Sequence, residues 1–196
     1  MPAQFDLQNH HRHSIRLNGY DYTQAGAYFL TIVTWQRNCL FGEVVNGEMQ
    51  LNALGDIARR EWFKTAALRA NVELYEDEFV VMPNNVHGIV WIVDGDVGAH
   101  IVGAPVGAQR RCAPTMTTPR VPSIVPQSLG AIIRAYKSAV TYAINAQRDS
   151  RRVPVWQRNY YEHILRGEQD YQRIVNYILN NPLQWENDNE NLQRKK

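Results

Sequence analysis

Three parts of the chain carry the hydrophobic pattern of β-strands. The run AYFLTIVTW at residues 27–35 is rich in β-branched and aromatic side chains, which is typical of a buried strand. Short apolar segments flank Asn46 and Gly47, and Asn-Gly supplies the positive φ angles of a type I′ turn, so a small hairpin is predicted there. Residues 72–82 and 86–93 predict two further strands that pair antiparallel across a tight turn.

Three other parts have apolar positions at helical spacing. The first predicted helix spans residues 52–68, with Asn52 as its cap. The second spans residues 128–147 and has one apolar stripe along its length. The third spans residues 168–181, begins with acidic side chains that suit the helix dipole, and is expected to end before Pro182.

The order of these elements is a strand, a hairpin, a helix, a second pair of strands and two helices. Because strands and helices do not alternate strictly, the predicted fold class is α+β, an antiparallel sheet with helices packed on it. Residues 21–186 are predicted to form a single domain between a basic tail at residues 1–20 and a polar tail at residues 187–196. Within that domain, residues 94–127 are rich in proline and glycine and predict a mobile loop.

The composition is that of a soluble globular protein, with 44% hydrophobic and 20% charged residues. No apolar stretch reaches the roughly 20 residues that a membrane helix needs. Residues 1–16 lack the apolar core of a signal peptide, and Cys39 and Cys112 have no metal-ligand spacing. We therefore expect a cytoplasmic protein with no membrane partner, associated with the nucleoid if it binds DNA.

The net charge of +2 conceals a basic segment, since residues 109–160 hold nine basic side chains and one acidic one, a net charge of +8. Such a segment is either a solvated loop or a surface that neutralises nucleic-acid phosphates. The candidate DNA contacts combine basic side chains with interleaved aromatic ones, and they are Arg16, Arg110, Arg111, Arg134, Lys137, Arg151, Arg152, Trp156, Arg158 and His163. The alternative for Trp156 is a core aromatic, and for His163 it is a structural hydrogen-bonding residue.

Asn85 and His87 are two residues apart near the start of a predicted strand, so their side chains share a face. An amide oxygen and an imidazole side by side can bind a divalent cation such as Mg²⁺ or Mn²⁺. The alternative is a histidine with a structural role.

The last predicted helix has an apolar stripe that faces the core, formed by Tyr171, Ile174, Val175 and Ile178. Tyr177 and Asn181 lie together on the shoulder of this stripe, one turn apart. Tyr177 is not needed for packing, which makes it the best candidate nucleophile among the helical tyrosines. Tyr136, in the middle of the apolar stripe of its own helix, is expected to pack in the core.

Four segments are informative in their order along the chain: GYDYTQAGAYFLTIVTWQR, VVMPNNVHGIV, VWQRNYYEHILR and VNYILNNPLQW. Together they resemble the REP-associated tyrosine transposases of the HUH single-strand transposase superfamily (IS200-like), over roughly residues 14–186. The resemblance implies an antiparallel sheet of the ferredoxin-like HUH endonuclease type. It also implies that Tyr177 is the nucleophile and that His87 and Asn181 match ligand positions for Mg²⁺ or Mn²⁺.

Position 85 departs from the family pattern, which has histidine where this chain has Asn85. An amide oxygen is a poorer donor than imidazole for Mn²⁺ and adds no charge. Three interpretations are open: the metal site persists in weakened form, the protein binds DNA without efficient cleavage, or the position was changed deliberately to trap a complex.

The function that the resemblance implies is metal-dependent nicking and strand transfer at a palindromic, REP-like DNA hairpin with a single-stranded flank, through a 5′-phosphotyrosine link. The alternative hypothesis, motivated by Asn85, is a non-catalytic protein that binds structured DNA or RNA hairpins. A replication-initiator nuclease of the same superfamily is a more distant alternative. The resemblance further implies a monomer, with a homodimer as the alternative, and it assigns no chemical role to Glu162 or His163.

Overall fold

The computed structural model describes residues 20–94, 127–150, 152–188 and residue 191. The strands are β1 (Gly26–Val33), β2 (Gly42–Val45), β3 (Glu48–Leu51), β4 (Val72–Glu73), β5 (Phe79–Met82), β6 (Asn85–Ile92) and β7 (Tyr161–Ile164). The helices are α1 (Ala53–Ala67), α2 (Leu129–Gln147) and α3 (Glu168–Gln184). The predicted loop at residues 94–127 and both predicted tails lie almost wholly outside the described residues.

The central sheet is antiparallel at every pairing, as predicted. β1 pairs with β6 along its whole length, from Gly26 opposite Ile92 to Val33 opposite Asn85. β7 pairs with the other edge of β1, and β4 and β5 follow each other along the outer edge of β6. β1 and β6 are therefore the inner strands, and the short β2–β3 hairpin forms a separate two-stranded sheet.

The single strand predicted at residues 72–82 is wrong, because the chain leaves the sheet in the middle of that stretch. Its two ends pair with β6 as β4 and β5, and a short 3-10 helix at Glu76–Glu78 lies between them. Glu78 is buried, and its carboxylate accepts hydrogen bonds from Nε1 of Trp91 and the hydroxyl of Tyr171, each at 2.6 Å. A buried carboxylate needs such donors, and the detour of the backbone brings them within reach.

The sequence pattern did not predict β7. This strand has only four residues, and the polar side chains of Glu162 and His163 interrupt its apolar character. Upstream of it, Trp156 forms a single β-bridge with Thr34, and residues 157–160 bulge out between that bridge and β7. The pairing with β1 stabilises β7, so its signal lies in the partner strand rather than in its own residues.

Helices cover both faces of the central sheet. α1 and α2 pack on the face that includes Leu30 and Ile32, where the main core lies. α3 packs on the opposite face, where Ile178 joins Phe29 and Ile89 in a second, smaller cluster. Because side chains alternate along a strand, neighbouring residues of β1 serve the two cores in turn.

Two close contacts join α1 and α2 to each other and to the sheet. Tyr136 is buried in the main core, as predicted, and its hydroxyl donates a hydrogen bond of 3.1 Å to the carbonyl of Ala58 in α1. A Cβ atom at Gly88 would lie 2.6 Å from Cζ2 of Trp62 and 2.8 Å from Cδ2 of Phe79. Glycine beside His87 thus allows α1 to approach the sheet closely.

Local signals for turns and helix starts are confirmed. Oδ1 of Asn52 accepts the N–H groups of Leu54 and Gly55 at the start of α1, as predicted. Oγ of Ser128 likewise accepts the N–H of Ala131 at the start of α2, a cap that was not predicted. Asn46 and Gly47 have φ angles of 54° and 79°, the left-handed values that the hairpin turn requires. Within the described ranges, no helix combines the length and the apolar character needed to cross a membrane.

α3 extends beyond its predicted end. The helix continues through Pro182, and a 3-10 helix at Trp185–Asn187 follows directly. Proline removes one backbone donor, but burial of the Trp185 side chain holds the last turn against the protein. Asn181 therefore lies within the helix and not at its end.

Candidate active site

Three polar side chains project from one part of the sheet toward α3. His87 and Asn85 belong to β6, and Thr31 of β1 lies opposite His87 in the register. Paired residues on antiparallel strands project to the same face, and Asn85 is two residues from His87, so the three side chains share that face. Asn85 and His87 are both buried.

The surroundings of His87 keep its imidazole neutral. Nδ1 lies 2.9 Å from Oγ1 of Thr31, and the ring of Phe29 stacks on the imidazole with centroids 5.9 Å apart. Burial lowers the pKa of His87 to about 3, because the charged form loses its hydration. When Nδ1 donates its proton to Thr31, the lone pair of Nε2 is free to accept a hydrogen bond or to bind a cation.

α3 places Tyr177 against this histidine. Its hydroxyl oxygen lies 3.5 Å from Nε2 of His87, at the outer limit of a hydrogen bond, and its ring meets the rings of His87 and Phe29 edge-on. Tyr177 is 40% exposed, so one side of the residue faces the buried histidine and the other faces solvent. Tyr177 therefore lies at the surface of the protein, beside the buried histidine.

Two buried amide oxygens belong to the same elements. Within the described part of the chain, Oδ1 of Asn85 and Oδ1 of Asn181 have no hydrogen-bond partner. Asn85 precedes His87 by two residues on β6, and Asn181 follows Tyr177 by one turn of α3. A buried oxygen without a partner is costly in an apolar environment, and a bound cation would satisfy it.

The donor chemistry of these residues fits a weakly held, hard divalent cation. His87 offers one neutral nitrogen, and Asn85 and Asn181 offer two neutral oxygens. Among the described residues, no group of three or more His, Cys, Asp or Glu side chains is placed to hold a metal ion. Oxygen donors suit Mg²⁺, and the lack of a carboxylate lowers the affinity.

Tyr161, one of the aromatic residues that the sequence interleaves with the basic ones, borders the site. It lies opposite Thr31 in the register, on the side of β1 away from β6. Tyr161 is 52% exposed, and its ring packs edge-on with the ring of Phe29, with the ring centroids 6.3 Å apart. Phe29 therefore touches two exposed tyrosines, Tyr161 and Tyr177. The signal for this neighbourhood is the register of β7, which could not be found before β7 itself was recognised.

Lys137 was predicted to contact DNA, and the structure shows its half-buried side chain bound to backbone groups of the protein itself. Its ammonium donates hydrogen bonds to the carbonyl oxygens of Gln157 at 2.6 Å, Arg158 at 3.2 Å and Asn159 at 3.3 Å. Burial lowers the pKa of Lys137 to about 8. Lys137 thus fixes the bulge before β7, on which the side chain of Arg158 is exposed.

The sheet divides the other predicted basic contacts. Arg134 is exposed on α2, which covers the face of the sheet opposite Tyr177, so it does not continue the surface around the candidate nucleophile. Arg152 and Arg158 are exposed on the segment that leads to β7. Four predicted contacts lie outside the described residues, namely Arg16, Arg110, Arg111 and Arg151.

Trp156 and His163 have structural contacts. Trp156 is 7% exposed and packs against Tyr136, so it is a core aromatic and its ring does not face solvent for base stacking. Nε2 of His163 lies 2.8 Å from Oδ2 of Asp170, and Arg173 binds the other oxygen of Asp170 at 2.6 Å. Hydrogen bonds from Arg173 and His163 hold the pKa of Asp170 at about 2. These contacts fasten the start of α3 to β7.

A solved structure of another protein shows which fold this chain has. The structure of a REP-associated tyrosine transposase bound to a REP hairpin matches with a TM-score of 0.55 and 20% identity, over 87% of this chain and 73% of that chain. The chain therefore has the fold of this class of transposase, and the α+β fold of HUH type that the motifs implied is confirmed. No protein-family model matches the chain.

The family of this chain is shown by a relative that matches it over nearly its whole length. The chain is 39% identical over 188 residues to an uncharacterized protein of Haemophilus influenzae, a match that covers 96% of this chain and 97% of that one. The chain belongs to the same protein family as that Haemophilus influenzae protein.

Proposed function

We propose that this protein nicks DNA and transfers the cut strand at hairpins with a single-stranded flank, with Tyr177 as the nucleophile. The observation that carries the proposal is the placement of Tyr177, which is exposed to solvent while its oxygen lies 3.5 Å from Nε2 of the buried His87. A reactive hydroxyl beside buried polar groups, at the surface of a folded domain, is the arrangement expected of a nucleophile. The fold shared with a transposase bound to a REP hairpin supports the same proposal.

In the proposed reaction, the hydroxyl oxygen of Tyr177 attacks the phosphorus of one phosphodiester in the substrate strand. The new O–P bond is a 5′-phosphotyrosine link, and the bond from phosphorus to the 3′ oxygen breaks. The phenol loses its proton, and the departing 3′ oxygen gains one and becomes a hydroxyl. Because one ester replaces another, a second 3′ hydroxyl can reverse the step on a new strand without a nucleotide cofactor.

His87 orients Tyr177 and is a poor acceptor for its proton. A phenol has an ordinary pKa of about 10, whereas burial lowers the pKa of His87 to about 3. Full transfer of the proton from Tyr177 to His87 is therefore very unfavourable. Nε2 of His87 can still accept a hydrogen bond from the phenol or bind a cation, and Thr31 holds the ring for either role.

Three side chains would hold a divalent cation, Mg²⁺ or Mn²⁺: His87, Asn85 and Asn181. When bound, the cation would polarise the phosphate oxygens and stabilise the negative charge of the transition state. All three protein ligands are neutral, so the phosphate of the substrate would supply the negative charge that the site lacks.

Recognition of the substrate strand is proposed for the exposed residues beside Tyr177. Tyr161 offers a ring on which an unpaired base can stack, and Arg158, on the bulge that precedes β7, can neutralise a phosphate. Stacking on a single aromatic side chain requires a base that is free of its duplex partner. This requirement favours a substrate with a single-stranded flank next to the hairpin.

Asn85 favours a second candidate function, a protein that binds DNA or RNA hairpins without cutting them. The amide gives the cation site a weaker donor than the histidine of the family pattern. Loss of cation affinity would reduce cleavage, but it would leave the stacking and phosphate contacts in place. The two functions therefore differ in chemistry and share the binding surface.

A covalent adduct separates these functions. The unaltered chain and the Asn85→His variant are incubated with a hairpin labelled at its 3′ end, in Mg²⁺ or Mn²⁺. We expect both to form an adduct that maps to Tyr177, with the Asn85→His variant reacting at least about 10-fold faster. Hairpin binding with an adduct only for the Asn85→His variant would support the non-catalytic function. No adduct from either chain would overturn the nicking proposal.

Tyr161→Ala is expected to weaken binding of a flanked hairpin by about 10-fold, because stacking of one base on an aromatic ring contributes about 1–3 kcal/mol. Fluorescence anisotropy with hairpins that have or lack the flank measures the effect. Tyr161→Phe keeps the ring and serves as the matched control. If Tyr161→Ala weakened both hairpins equally, the residue would not act on the flank.

A further inference from the structure

Two adjacent carboxamides are fully buried, Asn84 in the turn between β5 and β6 and Asn85 at the start of β6. Nδ2 of Asn85 donates a hydrogen bond of 2.9 Å to Oδ1 of Asn84. Nδ2 of Asn84 in turn donates to the carbonyl oxygen of Arg37 at 3.2 Å. A chain of amide hydrogen bonds therefore runs from the loop after β1 to the candidate cation ligand.

This series of amide hydrogen bonds is held firmly at its end in the loop after β1. The backbone N–H of Thr34 donates to the carbonyl of Asn84 at 2.8 Å, which ties the loop to the turn. Gln36 and Arg37 have φ angles of 56° and 55°, left-handed values that are uncommon for residues other than glycine. This backbone conformation directs the carbonyl of Arg37 to Asn84, so the acceptor that orients Asn84 belongs to a fixed turn.

The direction of these bonds decides which end of Asn85 faces the site. The oxygen and the NH₂ group of a carboxamide are nearly equal in size, so only hydrogen bonds distinguish the two orientations. The NH₂ group of Asn85 donates its hydrogen bond to Oδ1 of Asn84. Oδ1 of Asn85 then has no hydrogen-bond partner among the described residues. A cation can bind the oxygen, whereas the NH₂ group would repel it.

We propose that Asn84 is a positioning residue that turns the amide of Asn85 so that its oxygen, and not its NH₂ group, is presented to a hard divalent cation together with His87. This inference rests on the proposed function, because it takes Asn85 as a ligand. Asn84 itself does not touch the cation. It acts through the hydrogen bond that its Oδ1 accepts from Nδ2 of Asn85.

The test is a double-mutant cycle on Mg²⁺ affinity, measured by titration calorimetry without DNA. Asn84→Leu removes the acceptor at similar size, and we expect it to weaken Mg²⁺ binding at least about 10-fold. A carboxylate at position 85 presents an oxygen in either orientation. In the Asn85→Asp background, Asn84→Leu should therefore change the affinity less than about 3-fold. A role for Asn84 in the turn alone would give equal losses in both backgrounds and would overturn the proposal.

A second variant covers the case in which Asn84→Leu does not fold, which its thermal unfolding curve shows. Asn84→Asp keeps an acceptor for Nδ2 of Asn85 and loses the donor to the carbonyl of Arg37, so its Mg²⁺ affinity should fall less than about 3-fold below that of the unaltered chain. A loss of about 10-fold in Asn84→Asp would overturn the proposal. If the unaltered chain and Asn85→Asp both fail to bind Mg²⁺, the cation site itself is absent. If Mg²⁺ binds but Asn84 has no effect, the proposed function stands without this inference.

Discussion

We expect Tyr177→Phe to abolish the covalent adduct with DNA and to lower strand cleavage at least about 10³-fold, because it removes the proposed attacking oxygen and leaves no substitute in place. Hairpin affinity should change little, since the phenyl ring keeps its edge contact with Phe29 at 5.9 Å. Gel separation of protein-linked, 3′-labelled DNA measures the adduct, and anisotropy measures the affinity. The expected result is loss of chemistry with retained binding.

Two other tyrosines provide matched controls for the loss of one hydroxyl. Tyr171 lies on the same helix, and its hydroxyl donates to Glu78 at 2.6 Å, so Tyr171→Phe should cost stability but not the adduct. Tyr161→Phe removes the exposed hydroxyl on the other side of Phe29 and should also form the adduct. An adduct that persists in Tyr177→Phe and disappears in Tyr161→Phe would move the nucleophile to β7.

Much of the fold could be predicted because its signals are local. Asn52 and Ser128 cap helices through their own side chains, and Asn46-Gly47 forms its turn from backbone preference. The burial of Glu78 could not be predicted in this way, because the donors that satisfy its carboxylate, Trp91 and Tyr171, are distant in sequence. For the same reason β7 was missed, since its stability depends on pairing with β1.

In the candidate site, too, the local features could be predicted, whereas the contacts between distant segments could not. Asn85 and His87 share a strand face, and Tyr177 and Asn181 share a helix shoulder, so each pair follows from periodicity. The contact of 3.5 Å between Tyr177 and His87 depends on how α3 packs, which no local pattern contains. Thr31 enters the site through strand register, again a property of two segments.

The backbone contacts of Lys137 show the limit of charge as a guide. The residue belongs to a segment with a net charge of +8, which predicted contact with DNA phosphates. Its ammonium instead binds three backbone carbonyls of the bulge before β7. A count of charges along the sequence does not distinguish a lysine that faces solvent from one that binds backbone carbonyl groups of its own protein.

Acidification is expected to destabilise the folded protein through His87. Burial lowers the pKa of His87 to about 3 in the folded state, while the unfolded residue has an ordinary pKa of about 6.5. Between these values the unfolded chain binds a proton at this residue and the folded chain does not, so stability falls as the pH falls. The slope is about 1.4 kcal/mol per pH unit well inside this window.

The comparison of the unaltered chain with His87→Gln isolates this slope. The unaltered chain should lose about 1.5 kcal/mol more unfolding free energy than His87→Gln between about pH 6.5 and pH 5, because glutamine does not titrate. Urea unfolding at the two pH values measures the difference. If the unfolding free energies of the unaltered chain and of His87→Gln depended equally on pH, the imidazole would take up its proton in the folded state. The candidate site would then be open to solvent, and His87 would not be held neutral beside Tyr177.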